Sequence, residues 1–357
     1  MLGVSIRKIL IPSIANIIGT DMSTYKIIQN NQFAYGPVTS RNGDKISVAL
    51  LDEYQEAIVS QAYTVFDVID KNELLPEYLM MWFRRPEFDR YARFKSHGSA
   101  REIFGWDEMC DTELPIPSIE KQQEIVREYH TIQNRISLNN QFISKLEETA
   151  QAIYKQWFVD FEFPDENGKA YKSNGGEMGE SELGEIPMGW NIGTLENLYK
   201  FQYGLGNTNP NNNGQYPIYG AGGVIGGYDK YNSEDAPVIG HMGAYCGAVV
   251  FAFGKHYVTY NGVICQAKTE KHKWFSHLSL LSKDLMSNTR GSSQPFISYD
   301  MLYEIQIIIP NEKIADEFDY LVNKLFKEIN LNLSESQKLE ELKDLLLARM
   351  TRVESEK

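Results

Sequence analysis

The stretch SHGSAREIFGWDEMCDTELPIP at 96–117 returns, altered but in order, as TRGSSQPFISYDMLYEIQIIIP at 289–310, an offset of 193. The match runs without a gap for more than fifty residues. It sets Gly98-Ser99 on Gly291-Ser292, Asp107 on Asp300, Pro117 on Pro310, Leu138-Asn139 on Leu331-Asn332 and Leu146-Glu147-Glu148 on Leu339-Glu340-Glu341. A unit of this length is far longer than a solenoid repeat. The chain therefore reads as a duplicated two-part module, and whatever it folds into must be built twice.

The second part of each copy is helical. From Ile125 the apolar positions run Ile125, Tyr129, Ile132, Ile136, Asn139, Ile143, Leu146, Ala150, Ile153, Trp157, in alternating steps of four and three. That spacing is a heptad seam. Its counterpart runs Phe318, Val322, Leu325, Ile329, Asn332, Ser336, Leu339, Lys343, Leu346, Met350, weaker at Ser336 and Lys343. Each seam carries one amide, Asn139 and Asn332, a device that fixes register at some cost in stability. We expect two rods of about 60 Å that pair as an antiparallel coiled coil through Ile125, Ile132, Asn139, Leu146, Leu325, Asn332 and Leu339. The alternative is that each seam packs onto its own domain.

The first part of each copy is of another kind, with short β-branched runs such as YTVFDVI, PVIGHM, GAVVFAF and HYVTY between Gly- and Asn-rich turns. It reads as β-rich, with a helix around 77–88 in one copy and near 274–287 in the other. The expected class is α+β. Its parts are a β-rich domain at 1–117, a helical region at 118–163, a linker at 164–187, a second β-rich domain at 188–310 and a second helical region at 311–357. Shared helices with divergent heads suggest one frame carrying two recognition surfaces.

Composition narrows the function classes. The net charge is −13, which argues at first against nucleic acid, since phosphate binding is dominated by Lys and Arg. Its distribution softens the objection: −4 over 1–117, −6 over 118–187, 0 over 188–310 and −3 over 311–357. Three cysteines, Cys110, Cys246 and Cys265, form no CxxC, and six histidines show no HExxH, so neither a disulfide framework nor a metal site is expected. The N-terminal apolar stretch is broken by Arg7, Lys8, Pro12 and Asn16, so neither a signal peptide nor a membrane span is expected and a reducing cytoplasm is. Tyr219-Gly220-Ala221-Gly222-Gly223 lacks GK[ST] and a following apolar helix, which removes the nucleotide-loop reading and leaves no cofactor expected.

LGEIPMGW (183–190), YPIYGAGGVIGGY (216–228), RGSSQPFI (290–297) before a strand ending in IIIP, LPIPSIEKQQEIV (114–126) and LEETAQAIYKQWFVDFEFP (146–164) follow one another in a specific order. Together they resemble the specificity subunit of type I restriction-modification systems. The resemblance implies two target-recognition domains that each read one half of a split sequence in double-stranded DNA. It also implies helical regions that hold the two apart and dock methyltransferase subunits, two of them, with catalysis in the partners. Whether restriction and translocase subunits complete the assembly stays open. One departure is expected to matter: LGVSI (2–6) matches PIYGAGG at once, so the first recognition domain looks shortened by roughly thirty residues. A protein-interaction scaffold with impaired DNA reading is the alternative this raises.

Within that frame WFRRPEFDRYARFKSHGSAR (82–101) is the strongest DNA candidate, placing Arg84, Arg85, Arg90, Arg93, Lys95, Ser99 and Arg101 among aromatic residues. Arginine clamps phosphate or reads guanine, and Gly-Ser turns offer amides to phosphate. A helix with solvated charges and packed aromatics is the bland reading. Arg290, Ser292, Ser293 and Gln294 are the counterparts in the second copy, with Gln294 suited to adenine. Arg41 and Lys45 on a hairpin-like tip, and Tyr219 in the Gly-rich stretch, complete the set. Because both copies keep Gly-Ser while two readers ought to differ, the pair is expected to anchor the backbone and its neighbours to specify.

Overall fold

The computed structural model describes residues 1–13, 21–39, 45–98, 102–206, 209–287, 289–291 and 294–350. The chain divides into two compact units, one from Met1–Asn139 with the chain from Ser334 onward, the other Asn140–Leu333. Each unit thus holds one β-rich head and part of both long helices. No helix among the described residues is long and apolar enough to cross a membrane.

The first unit runs β1 (Leu2–Val4), β2 (Leu10–Pro12), β3 (Lys26–Gln29), β4 (Phe33–Gly36), β5 (Ser47–Leu50), β6 (Glu56–Val59), β7 (Thr64–Phe66), α1 (Pro76–Arg84), α2 (Pro86–Lys95), α3 (Trp106–Cys110) and the start of α4 (Ile119–Phe158). Its strands form a four-stranded sheet in the order β2-β1-β6-β3 and a three-stranded sheet β5-β4-β7. The single helix expected around 77–88 is two helices. Pro86 removes the backbone donor and pushes the residue before it out of the α region, and Arg85 sits at φ −67°, ψ 134° between α1 and α2.

The second unit holds the rest of α4, then β8 (Met178–Ser181), β9 (Gly184–Pro187), β10 (Asn191–Thr194), α5 (Leu195–Leu198), β11 (Tyr199–Tyr203), β12 (Tyr216–Gly220), β13 (Gly223–Tyr228), β14 (Ser233–Gly240), β15 (Val249–Val258), β16 (Gly262–Ala267), α6 (Lys273–Leu281), α7 (Tyr299–Tyr303), β17 (Gln306–Ile309) and α8 (Glu312–Arg349). Six strands make one sheet, β11-β16-β14-β15-β12-β13, and β10 pairs with β17. The two sheets share a plan. β1 pairs antiparallel with β2 and parallel with β6, as β12 pairs antiparallel with β13 and parallel with β15. The segment 164–187, expected as a linker, ends in the β8–β9 hairpin, and its Ile186 is buried in one cluster with Trp157, Phe158, Phe161 and Trp190.

The heptad positions are buried or half-buried along both helices. In the first unit Ile125 and Tyr129 share a core with Leu347 and Met350, while Arg135 and Asn139 meet Glu335, which makes the pair antiparallel. In the second unit Tyr154 and Trp157 pack on Phe318, and Ile143 and Ile329 belong to the same cluster. Ile132, Leu146, Leu325 and Leu339 are half-buried on these seams. The two amides behave differently. Asn139, 2% exposed, donates to Glu335 Oε2 at 2.8 Å and to Ser336 Oγ at 3.2 Å. Asn332 turns back to the Glu328 carbonyl of its own helix at 2.7 Å. The offset of 193 explains this: the pairing of 139 with 336 maps onto 332 with 143, where Ile143 offers no polar group.

In the second unit His277 is packed among Phe251, Trp274 and Phe326, and burial takes its pKa from the ordinary 6.5 down to about 3. The folded imidazole stays neutral where the unfolded one is protonated. Stability is thus complete above pH 6.5 and falls toward pH 3 by up to about 1.4 kcal/mol per pH unit from this group. A His277→Leu variant is expected to show a shallower loss of stability between pH 6.5 and 4 in urea titrations than the parent. The same experiment at neutral pH separates the amides: Asn139→Ala is expected to cost about 1–2 kcal/mol and Asn332→Ala under about 0.5 kcal/mol.

Candidate nucleic-acid interface

The repeated words of the sequence build one structural device. In the first head His97 and Ile103 exchange both backbone hydrogen bonds, at 3.0 and 2.9 Å, and Ile103 also bridges Val38. In the second, Arg290 and Phe296 exchange theirs at 3.0 and 2.8 Å, and Phe296 bridges Met242. Flanking bonds follow suit: Phe104 N–H to Pro37 O and Thr39 N–H to Glu102 O in one, Ile297 N–H to His241 O and Gly243 N–H to Pro295 O in the other. Each head thus bridges residue 97 to 103 or 290 to 296 and stitches that bridge to the segment that leaves β4 or β14. The glycine common to both is dictated by backbone: φ is 135° at Gly98 and 90° at Gly291, and a Cβ on Gly291 would stand 2.6 Å from the Gln294 carbonyl oxygen.

In the first head this device joins the two stretches singled out from sequence. Val38 and Thr39 are bonded to the 97–103 segment, and the Ile46 amide donates to Asp89 of α2 at 3.0 Å. Lys8 binds the same carboxylate at 2.7 Å and is almost fully buried, so burial lowers its pKa despite the partner. Lys45, Arg90 and Lys95 are exposed. Arg90 pairs with Glu87 at 3.2 Å, a bond that solvent and salt weaken readily.

Four of the expected DNA contacts are otherwise engaged. Arg85 is 3% exposed, stacks 4.1 Å over Trp82 and lies 3.7 Å from Glu87, and burial depresses its pKa. It sits at the α1–α2 break as an internal cation and cannot reach a phosphate. Arg84 is half-buried over the Tyr129 ring of α4, a joint between head and helix. Arg93 is half-buried and paired with Glu102. Tyr219 is likewise a packing residue: its ring meets His256 edge-on, its carbonyl accepts the Thr259 amide at 3.0 Å, and burial raises its hydroxyl pKa. Arg41, Ser99, Arg101, Ser292 and Ser293 lie outside the described residues.

In the second head Arg290 and Gln294 are exposed at the hairpin, and the Gln294 amide reaches Met242 Sδ at 3.9 Å. Beneath them His241 Nδ1 contacts the Ile297 carbonyl at 2.8 Å, and the His241 ring lies against Tyr203 and Tyr260. Tyr245, on the segment after Met242, is 62% exposed. Residues 241–243 correspond to 37–39 through the matched hydrogen bonds, an offset of 204 instead of 193. Sequence reading named only the first of these loops, because the extra residues between the offsets hide the correspondence.

A scaffold built twice, displaying different side chains each time, defines a duplicated recognition protein. The chain belongs to the type I restriction modification DNA specificity domain family, whose model matches residues 16–148 and again 187–335. It is 24% identical over 311 residues, 80% of this chain and 70% of the relative, to the type I restriction enzyme MjaIX specificity subunit of Methanocaldococcus jannaschii. It is 30% identical over 159 residues, 44% of this chain and 34% of the relative, to the HindI specificity subunit of Haemophilus influenzae. The fold resembles the crystal structure of a type I restriction-modification S subunit from M. genitalium, with a TM-score of 0.53 at 17% identity over 91% of this chain and 83% of that one.

If the glycine is set by conformation, Gly291→Ala is expected to cost about 1–3 kcal/mol locally. Faster hydrogen exchange at the Phe296 amide would show it, while Arg290→Ala leaves that amide protected.

Proposed function

We propose that this chain is the DNA-reading, non-catalytic subunit of a cytoplasmic type I restriction-modification complex. Each head reads one half of a bipartite target, and the helical regions dock two methyltransferase subunits and, through them, restriction subunits. The observation that carries this reading is the repeated hairpin: one backbone scaffold in both heads, with unlike exposed residues upon it. Lys45, Arg90 and Lys95 in the first head supply phosphate contacts that set register. Arg290 and Gln294 in the second have the donor and acceptor patterns for guanine and adenine edges. The undescribed Arg41, Ser99, Arg101, Ser292 and Ser293 belong by sequence to the same loops and join this set. Half-sites about one helical turn apart, about 34–36 Å, suit two readers on one frame.

A second reading, a scaffold with impaired reading by the first head, draws support from β7, which ends its sheet without a further strand among the described residues. Expressing the chain with a methyltransferase subunit in a methylation-free host and mapping modified bases separates the two. A motif with two defined halves supports the bipartite reader; one defined half supports the second reading.

Salt titration of DNA affinity tests the contacts themselves. Arg90→Ala with Lys95→Ala is expected to reduce the log–log slope by about 2, near 0.9 per lost phosphate contact. Arg85→Ala is expected to lower stability by about 1–3 kcal/mol and leave the slope unchanged, since its guanidinium faces Trp82. No binding at low salt would remove the DNA-reading role.

A further inference from the structure

The glycine-rich stretch at 220–223 lacks the sequence context of a nucleotide loop, and the second head gives it another use. It forms the turn between β12 and β13, and the ring of Tyr245 lies on it. A Cβ on Gly222 would stand 2.7 Å from Tyr245 Cδ2 and 2.9 Å from its Cγ. A side chain on Gly240, where β14 ends, would strike the carbonyl oxygens of both Ala221 and Tyr245. Bare backbone is what lets these two turns meet.

The backbone that carries Tyr245 is fixed from several sides. Tyr245 closes a 3₁₀ turn at Gly243–Tyr245. Gly243 N–H donates to Pro295 O at 2.9 Å, Cys246 N–H to Gly243 O at 3.0 Å, Gly247 N–H to Gly240 O at 2.9 Å and Ala248 N–H to Tyr245 O at 3.1 Å. Cys246 is fully buried and its thiol donates to the His241 carbonyl at 3.3 Å. The Tyr245 side chain, by contrast, stands out in solvent, and its hydroxyl bonds to none of the described residues. The surroundings suit a polyanion. Met242, just before the turn, bridges Phe296 and is reached by Gln294, so the turn and the segment bearing Arg290 and Gln294 form one surface. The three segments that meet here, 216–228, 240–247 and 289–297, contain no acidic residue, although the chain has 48.

We propose that Tyr245 is a base-contacting, specificity-determining residue of the second head, a reading that rests on the DNA role proposed above. A ring carried on a fixed turn gives up little freedom on binding, since only its two side-chain torsions remain to be ordered. In the groove it offers apolar area, for which the methyl group of thymine is the complementary partner, while Arg290 and Gln294 beside it offer hydrogen-bond donors. Gly222 is the positioning residue: it touches no base and leaves free the space that the ring occupies.

The test is made in the complex. The chain and its variants are expressed with the methyltransferase subunit in a methylation-free host, modified bases are mapped, and the purified complexes are assayed on duplexes carrying single mismatches in the motif. Tyr245→Ala is expected to relax one or two adjacent positions within one half of the motif, lowering the rate ratio of cognate over mismatched duplex there by about tenfold or more. The other half stays as in the parent. Tyr245→Phe, which keeps the ring, is expected to keep the motif. Gly222→Ala pushes the ring aside and is expected to relax the same positions, with the double variant Gly222→Ala, Tyr245→Ala going no further. Amide protection at Cys246 and Phe296 stays at the parental level in Tyr245→Ala, which separates lost reading from a lost fold. A parent motif that Tyr245→Ala leaves unchanged, or a loss spread evenly over both halves, overturns the assignment while the DNA-reading role stands. No methylation by the parent complex overturns that role, and this assignment with it.

Discussion

The packing of the two long helices against each other and against the heads is the contact on which everything else depends. Outside the seam their surfaces are largely polar, so neither helix has a reason to persist alone over some forty residues. The seam does not stop at the helix pair. In the first unit Ile125, Tyr129, Leu347 and Met350 belong to the same apolar cluster as Tyr78, Met81, Trp82 and Phe83 of the head. In the second, Tyr154, Trp157, Phe318 and Phe326 share a cluster with Phe251, Trp274 and Phe275. Each buried side chain of this size contributes about 1.5–3 kcal/mol. A head is therefore held to its stretch of helix by the same burial that holds the helices together.

Register on that seam comes from a polar group, and from one copy only. Asn139 sits against Ser336 and Glu335, and Arg135 donates to the same Glu335 oxygen at 2.9 Å. The hydrogen bonds from both partners hold that carboxyl below its usual range. Sliding the helices by a heptad would put the amide opposite Ile329 in one direction or Lys343 in the other, and neither side chain accepts its hydrogen bonds. Ser336, which looks like a weak point when the seam is read from sequence, is part of the lock. Asn332 lies where symmetry offers Ile143, and its return to its own helix shows that duplication of a residue does not duplicate its role.

The repeat, the seam and the α+β class were legible because they rest on periodicity, which survives divergence of the side chains. The site was legible only in part. Local composition cannot tell an arginine on a surface from one at a helix break, and Pro86 decides the matter for Arg85 by forcing the preceding residue into extended geometry, where its side chain turns in against Trp82. Arg93 and Arg84 were lost to a carboxylate and a ring that are distant or ambiguous in sequence. The segment 241–243 was missed for a different reason: it answers to 37–39 through hydrogen bonds, with no residue identity to mark the shift in offset.

The opening repetition can now be given a physical cause. In both hairpins the bonds that fix the loop run between backbone groups, His97 with Ile103 and Arg290 with Phe296, so they place no demand on side-chain identity. Among the described residues such a demand falls on the glycine, where φ is positive in both copies and, at Gly291, a methyl group would collide with the Gln294 carbonyl. Where only backbone groups are engaged, as at His97 and Arg290, the side chain is free to follow whatever the loop contacts. A segment that must keep its glycine and its apolar anchors yet can vary the rest will read as nearly the same words twice, which is how this chain reads at 96–117 and 289–310.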